Sequence, residues 1–168
     1  MKQNILITGP PASGKSTLLQ NLISGKQVYG IFTHDIKRNG ERWGFKVINI
    51  RGGKNDVFSS IEMKPHVIGK FGVDVSRFEK IASPAIEEGI KEDNSIIVID
   101  EIKMLSLFSE KYRKLVSQAL DTKRVLATAP MKSRHDFLDK IKSRSDVHVH
   151  YLTKFNYERL LKEIAREL

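Results

Sequence analysis

The segment ITGPPASGKST, positions 7–17, places Gly9, Gly14, Lys15 and Ser16 at G-x-x-x-x-G-K-[ST] spacing. Those residue types at that spacing suit the cradling of an oxyanion. Glycine permits the backbone angles and close approach that turn successive N–H groups inward around phosphate oxygens. Pro10 and Pro11 restrict the φ angles of the loop, so less ordering is left for binding. Ala12, Ser13 and Thr17 complete the cradle. Lys15 is expected to reach the β- and γ-phosphates and the Ser16 hydroxyl to ligate Mg²⁺. The expected ligand is a nucleoside triphosphate.

A metal held between phosphates also needs an acid. SIIVIDE (95–101) is a β-branched run that ends in Asp100 and Glu101. A carboxylate at the end of such a strand suits the second Mg²⁺ position, so Asp100 joins Ser16 as a metal residue. Glu101, next to it, is placed to orient or deprotonate an attacking water. Thr128, near the end of VLATA (125–129), reads equally as strand filler or, if its strand lies between those bearing the loop and Asp100, as a sensor of the γ-phosphate. A cation that neutralises transition-state charge could come from Arg134 or Arg144, or from Lys37 or Arg42; each of these also reads as a solvated surface charge. His148 and His150 share one face of an expected strand, but no third metal ligand is near in sequence, so the histidines read as surface or edge-strand residues. Trp43, the only tryptophan, reads as a packing residue.

These residues need a scaffold. NILIT (4–8) has the pattern of a buried strand, and Leu18, Leu19, Leu22 and Ile23 fall on one face of a following helix that stops at Gly25. Asn39-Gly40 between two strand-like runs predicts a hairpin over 28–50. Residues 51–56 read as a loop, and 57–72 as short edge strands. Ser76 and Glu79 have capping-box spacing, which predicts a helix start near Ser76. Ser83-Pro84 predicts a break, with a second helical piece to about Lys91. A strand follows at 95–100, a helix over 108–121, a strand at 124–129, a helix over 134–144, a strand at 147–152 and a helix over 154–168. Strands alternating with helices predict an α/β fold of three layers, with a mostly parallel central sheet and an antiparallel hairpin near residues 28–50.

The chain has 168 residues and no cysteine, 29 basic and 20 acidic residues, and a net charge of +9. The length predicts one domain over 1–168. The lack of cysteine removes disulfides, thiolate metal sites and a cysteine nucleophile, and suits a reducing compartment. There is no apolar stretch of membrane-spanning length and no signal-peptide pattern, so the expected location is cytoplasmic, with no membrane partner. The basic excess permits a nucleic-acid partner, but no recognised motif or aromatic-basic interleaving supports one. Nothing in the sequence specifies an oligomeric state.

Several stretches together resemble the small P-loop nucleoside-triphosphatases first described from thermophiles, which are related to the cancer-related nucleoside-triphosphatase. They are GPPASGKSTL (9–18), GIFTHDIKRNGERWGF (30–45), GVDVSRFEKIASPAIEEGI (72–90), IIVIDEIKMLSLFS (96–109) and IKSRSDVHVHYLT (141–153). The resemblance implies a RecA-like core and a slow, Mg²⁺-dependent nucleoside triphosphatase with broad base tolerance. It supports Lys15, Ser16, Asp100 and Glu101 in the roles above, raises Arg144 over the other basic candidates as a catalytic residue, and adds Thr33 to the site. Where the family usually follows Asp-Glu-Ile with glycine, lysine, methionine and glutamate, this chain has Lys103, Met104, Leu105 and Ser106. Lys103 stands one position from the usual lysine. His34 replaces the hairpin's first acid, and Lys37 its usual arginine.

Two other functions use the same residues. A P-loop kinase passes the γ-phosphoryl group to a nucleotide or polynucleotide hydroxyl. A nucleotide-gated module binds nucleic acid.

Overall fold

A computed structural model describes residues 4–132 and 134–168. The single-domain reading over 1–168 also spans residues 1–3 and 133, which lie outside the described residues. The chain runs β1 (Asn4–Gly9), α1 (Lys15–Ile23), β2 (Val28–Arg38), β3 (Glu41–Asn49), β4 (Asn55–Ser60), β5 (Gly72–Val73), α2 (Val75–Lys91) and β6 (Ile96–Asp100). A 3₁₀ turn (Met104–Phe108) leads into α3 (Glu110–Thr122), β7 (Arg124–Pro130), α4 (Asp136–Lys142), β8 (Val147–Tyr151) and α5 (Tyr157–Glu167).

All eight strands join one sheet in the order β5-β4-β3-β2-β6-β7-β1-β8. From β2 to β8 the neighbours are parallel, and β2 to β5 form an antiparallel extension. The period of two along each strand divides the core. Leu6, Ile97, Ile99, Val125 and Ala127 face α2, α3 and α4, where Phe78 packs edge-on against Tyr112. Ile5, Ile7, Val98 and Leu126 face Leu18, Leu19 and Leu22 of α1 and Leu160 and Ile164 of α5. Apolar residues on both faces explain why these strands read as continuous apolar runs. Among the described residues, no helix is long and apolar enough to cross a membrane.

Asn39 and Gly40 both take positive φ, 51° and 78°, as a two-residue hairpin turn requires. β2 pairs with β6 only as far as Phe32, opposite Asp100. Beyond that, Thr33–Arg38 has β3 as its sole strand partner.

Four expectations are corrected. β4 begins at Asn55, within the loop expected over 51–56, and where edge strands were expected to continue, 61–71 hold only an isolated bridge between Ile68 and Phe71, because Pro65 and Gly69 interrupt pairing. α2 is capped by Asp74, not by Ser76: the Asp74 carboxylate accepts the Arg77 N–H at 3.0 Å. Glu79 instead accepts from Ser109 Oγ, the cap of α3, at 2.6 Å. The break expected at Ser83-Pro84 does not occur. α2 runs through Pro84, which lies on its exposed side, so the carbonyl that loses a partner there faces water while Ala82, Ala85 and Ile86 hold the buried side. The helix expected from Phe108 starts at Glu110, because Met104–Phe108 winds more tightly and Ser109 caps α3.

Candidate functional site

β1 ends at Gly9, and a Cβ there would lie 2.4 Å from the carbonyl oxygen of Leu152, so the root of the loop requires glycine. Ala12 (φ 57°) and Gly14 (φ 95°) adopt left-handed backbone. These reversals turn successive N–H groups toward the concave side of the loop. α1 begins at Lys15, and its positive end faces the same hollow. The Lys15 ammonium folds back over the loop and donates to the carbonyls of Gly9 and Pro10, 3.1 Å each.

Asp100 ends β6 and is 2% exposed. Its Oδ1 accepts from Ser16 Oγ at 3.1 Å and from Thr128 Oγ1 at 2.5 Å. The sheet order makes this possible: β7 lies between β1 and β6, so Thr128 stands between the loop and the acid. Burial pushes the Asp100 carboxyl above its ordinary range, and the charge of Glu101 acts in the same direction. The hydrogen bonds from Thr128 and Ser16 and the charge of Lys103 pull it back.

Thr33 Oγ1 donates to the Asp100 carbonyl and accepts the Glu101 N–H, 3.2 Å in each case. One hydroxyl therefore fixes the backbone on both sides of the Asp100–Glu101 junction. The Glu101 carboxylate is half-buried and pairs with the Lys103 ammonium at 3.0 Å. Arg42 on β3 pairs with Asp35 on β2 at 2.7 Å, and Arg42 and Lys103 both lie over the ring of Phe45.

Loop, Ser16, Thr33, Asp35, Arg42, Asp100, Glu101 and Lys103 line one cleft of about 310 Å³. Beside it opens a second cavity of about 490 Å³, which shares Lys15, Arg42, Glu101 and Lys103 and adds Phe45, Met131 and Lys132. A small cavity at the opposite end of the sheet, near Asn94 and Leu168, contains none of these residues.

Ser16 Oγ and Asp100 Oδ1 are hard oxygen donors 3.1 Å apart. Mg²⁺ with bonds of 2.0–2.1 Å has adjacent ligands about 2.9 Å apart. The pair fits that ion.

Of the residues singled out in the sequence, Gly9 to Thr17, Thr33, Arg42, Asp100, Glu101 and Thr128 come together. Arg144 does not. Its guanidinium donates to Asp146 at 2.7 and 2.8 Å and to Asp121 at 2.8 Å. Asp146 in turn accepts from Asn4, the first residue of β1. Arg144 therefore sits at the amino end of β1, and the loop begins at the other end of that 6-residue strand, about 17 Å away at the rise of a strand. Arg144 is held as a charged clasp between α3 and the start of β8: the Asp146 hydrogen bond raises its pKa, and Arg144 lowers that of Asp146. Trp43 stacks under Arg38, with the guanidinium 3.5 Å from its ring centre. Asp35 and the Lys103–Glu101 pair were missed in the sequence. The alternation Thr33, Asp35 along β2 carried a signal for the first. The pair forms only because the chain turns after Asp100.

The chain matches the profile of a family described as NTPase over residues 4–165. It is 35% identical to the nucleoside-triphosphatase THEP1 of Thermotoga petrophila over 161 residues, which cover 95% of this chain and 89% of that one. It is 32% identical to the cancer-related nucleoside-triphosphatase homolog of Bos taurus over 186 aligned positions, covering 100% and 97%. The crystal structure of THEP1 from the hyperthermophile Aquifex aeolicus superposes with a TM-score of 0.85 at 33% identity, covering 96% of each chain.

Proposed function

The chain belongs to the nucleoside-triphosphatase family, and from that premise we propose that it hydrolyses Mg²⁺-bound nucleoside triphosphates, ATP and GTP among them, to diphosphate and phosphate. The observation that carries this reading is the convergence of Ser16 and Thr128 on one oxygen of Asp100, beside Glu101. When bound between Ser16 and Asp100, Mg²⁺ supplies charge neutralisation at the β- and γ-phosphate oxygens.

The protein's own part is positioning and electrostatics. Loop amides from Ala12 onward and the N-terminus of α1 surround the phosphates; Pro10 and Pro11 themselves contribute shape, since proline has no N–H. Lys15 exchanges the neutral carbonyls of Gly9 and Pro10 for anionic phosphate oxygens, which make stronger partners. Glu101, fixed through its backbone by Thr33 and through its carboxylate by Lys103, orients a water opposite the leaving group. The water oxygen bonds to the γ-phosphorus and its proton passes to Glu101. The bond to the bridging oxygen breaks, and that oxygen leaves with the diphosphate.

We take residues 1–168 as one domain, since every strand among the described residues joins one sheet, and propose a cytoplasmic location, which a chain without cysteine suits. The test is free phosphate and diphosphate measured together for each common triphosphate with Mg²⁺. Phosphate should match diphosphate. Lys15→Ala and Glu101→Gln should each lower the rate by about 10²–10³. No phosphate from any triphosphate, with tight binding retained, overturns hydrolysis.

The 490 Å³ cavity beside the cleft favours one second reading. Its Phe45 and Met131 walls and its Arg42, Lys103 and Lys132 cations suit a phosphoryl acceptor with an apolar body and an anionic group. Diphosphate formed in excess of free phosphate when nucleotides or oligonucleotides are added supports transfer.

A further inference from the structure

Strand β8 lies at the edge of the sheet, and its register pairs His148 with Ile5 and His150 with Ile7. Paired residues in a parallel sheet point to the same face, and Ile5 and Ile7 face α1 and α5. Both imidazoles therefore project toward the helix layer. On α5, Leu160, Ile164 and Glu167 follow i, i+4, i+7 spacing, so all three lie on the face turned to the sheet. The first two enter the core, and Glu167, in the last turn, meets the histidines.

The geometry is that of three converging ligands. His148 Nδ1 lies 2.9 Å from Glu167 Oε2, and His150 Nε2 lies 3.1 Å from Glu167 Oε1. The two rings are 4.0 Å apart, and one donor atom from each of the three residues lies within 4.8 Å of the others. His150 is 6% exposed. Its Nε2 is buried and, although near the carboxylate, is not aligned with it as a hydrogen bond.

We propose that His148, His150 and Glu167 bind one late first-row divalent cation, Zn²⁺ foremost, and thereby tie the last turn of α5 to the edge strand β8. Zn²⁺ with bonds of 2.0–2.2 Å to imidazole nitrogen and carboxylate oxygen has tetrahedral ligands about 3.4 Å apart. The two nitrogens face different oxygens of Glu167, at 2.9 and 3.1 Å, and one donor atom from each residue lies within 4.8 Å of the others, so rotation of the side chains brings the three to that edge length. Two imidazoles and one carboxylate select Zn²⁺, Ni²⁺ or Cu²⁺ over Mg²⁺ and Ca²⁺. The negative end of the α5 dipole favours a cation at the same point. The fourth position opens to solvent past His148, whose side chain is 44% exposed, and takes water. The site shares no residue with the phosphate cleft, so it stands whether or not the hydrolase reading does.

The experiment is a Co²⁺ titration of tag-free, nucleotide-free protein in excess Mg²⁺, followed by visible absorption. One equivalent with the strong bands of four-coordinate Co²⁺ is expected, displaced by Zn²⁺ and unchanged in Asp100→Asn, which disables the other metal position. His148→Ala and Glu167→Gln should each weaken binding at least about tenfold and abolish the rise in unfolding midpoint that Zn²⁺ gives the wild-type protein. Nitrogen NMR of the wild-type protein reads the ligands without substitution: the ring nitrogens of His148 and His150 should shift on saturation with Zn²⁺. No band or midpoint change, ring nitrogens that do not respond, or equal binding by folded His148→Ala and Glu167→Gln overturns the site.

Discussion

The Lys103 ammonium lies 3.0 Å from Glu101 Oε1 and 4.9 Å from the centre of the Phe45 ring. The carboxylate proposed to orient water is therefore held by a cation that is itself seated on an aromatic face. Lys103→Met keeps the length of the side chain and removes the charge. It should lower kcat by about 10- to 100-fold through misplacement of Glu101, with KM for the nucleotide nearly unchanged. Steady-state phosphate release checks this.

Asp100 is ionised with difficulty in the folded protein. Its pKa is raised above the ordinary carboxylate value, so the folded state holds the proton more tightly than the unfolded state. This group's stabilising contribution is complete below the unfolded pKa and is lost as pH rises through the folded one. Asp100→Asn retains an oxygen to accept from Ser16 and Thr128. The variant should unfold at a higher midpoint than the wild type at pH 7 without nucleotide or metal, with the gap closing toward pH 4, while hydrolysis is lost. Thermal scans across pH measure it.

Arg144 lies at the end of β1 away from the loop, paired with Asp121 and Asp146. Arg144→Ala should cost about 1 kcal/mol in urea unfolding, since the clasp is partly solvated, and leave kcat within about twofold. Asp146 has a depressed pKa, so the contribution of its pair is present above the unfolded carboxylate pKa and is lost as pH falls through the folded value. The cost of the substitution should shrink accordingly in acid.

Gly9→Ala puts a methyl group against the Leu152 carbonyl. Relief requires β1 and the segment after β8 to part, at a cost of about 1–3 kcal/mol, and the loop loses its root. Nucleotide affinity should fall together with stability, which a fluorescent nucleotide titration beside urea unfolding would show.

The strands of the parallel sheet, the hairpin and the loop were legible in the sequence because each rests on local chemistry: β-branched runs, Asn39-Gly40, and glycines at fixed spacing; β4 and β5 were not, because their pairing is set by β3 and not by a pattern of their own. Asp100 and Glu101 were legible from the strand they end. Thr128 was legible only conditionally, since its role depends on β7 lying between β6 and β1, and strand order is set by long-range packing. The cap of α2 was misread because Ser76 and Asp74 both suit a helix start, and the chain's exit from β5 decides between them. Arg144 was misread because a motif position does not state which end of a strand it adjoins. Glu167 escaped notice as a neighbour of the histidines because it lies a whole helix away along the chain.

The β2–β3 ribbon works as a cantilever. Past Phe32 it leaves β6 behind, while β3 stays paired with β4 as far as Gly44, so the free tip runs from Lys37 to Arg42; Asp35 and Arg42 line the cleft from the ribbon's root and tip. The free tip is about 10 Å long at the rise of a strand. Reach along such an arm changes in steps of residue pairs, each about 3.4 Å, and a step leaves β1, β6 and β7 in place. The roof of the cleft can thus be lengthened, shortened or recharged without disturbing its floor, and what the protein admits can change independently of how it cleaves.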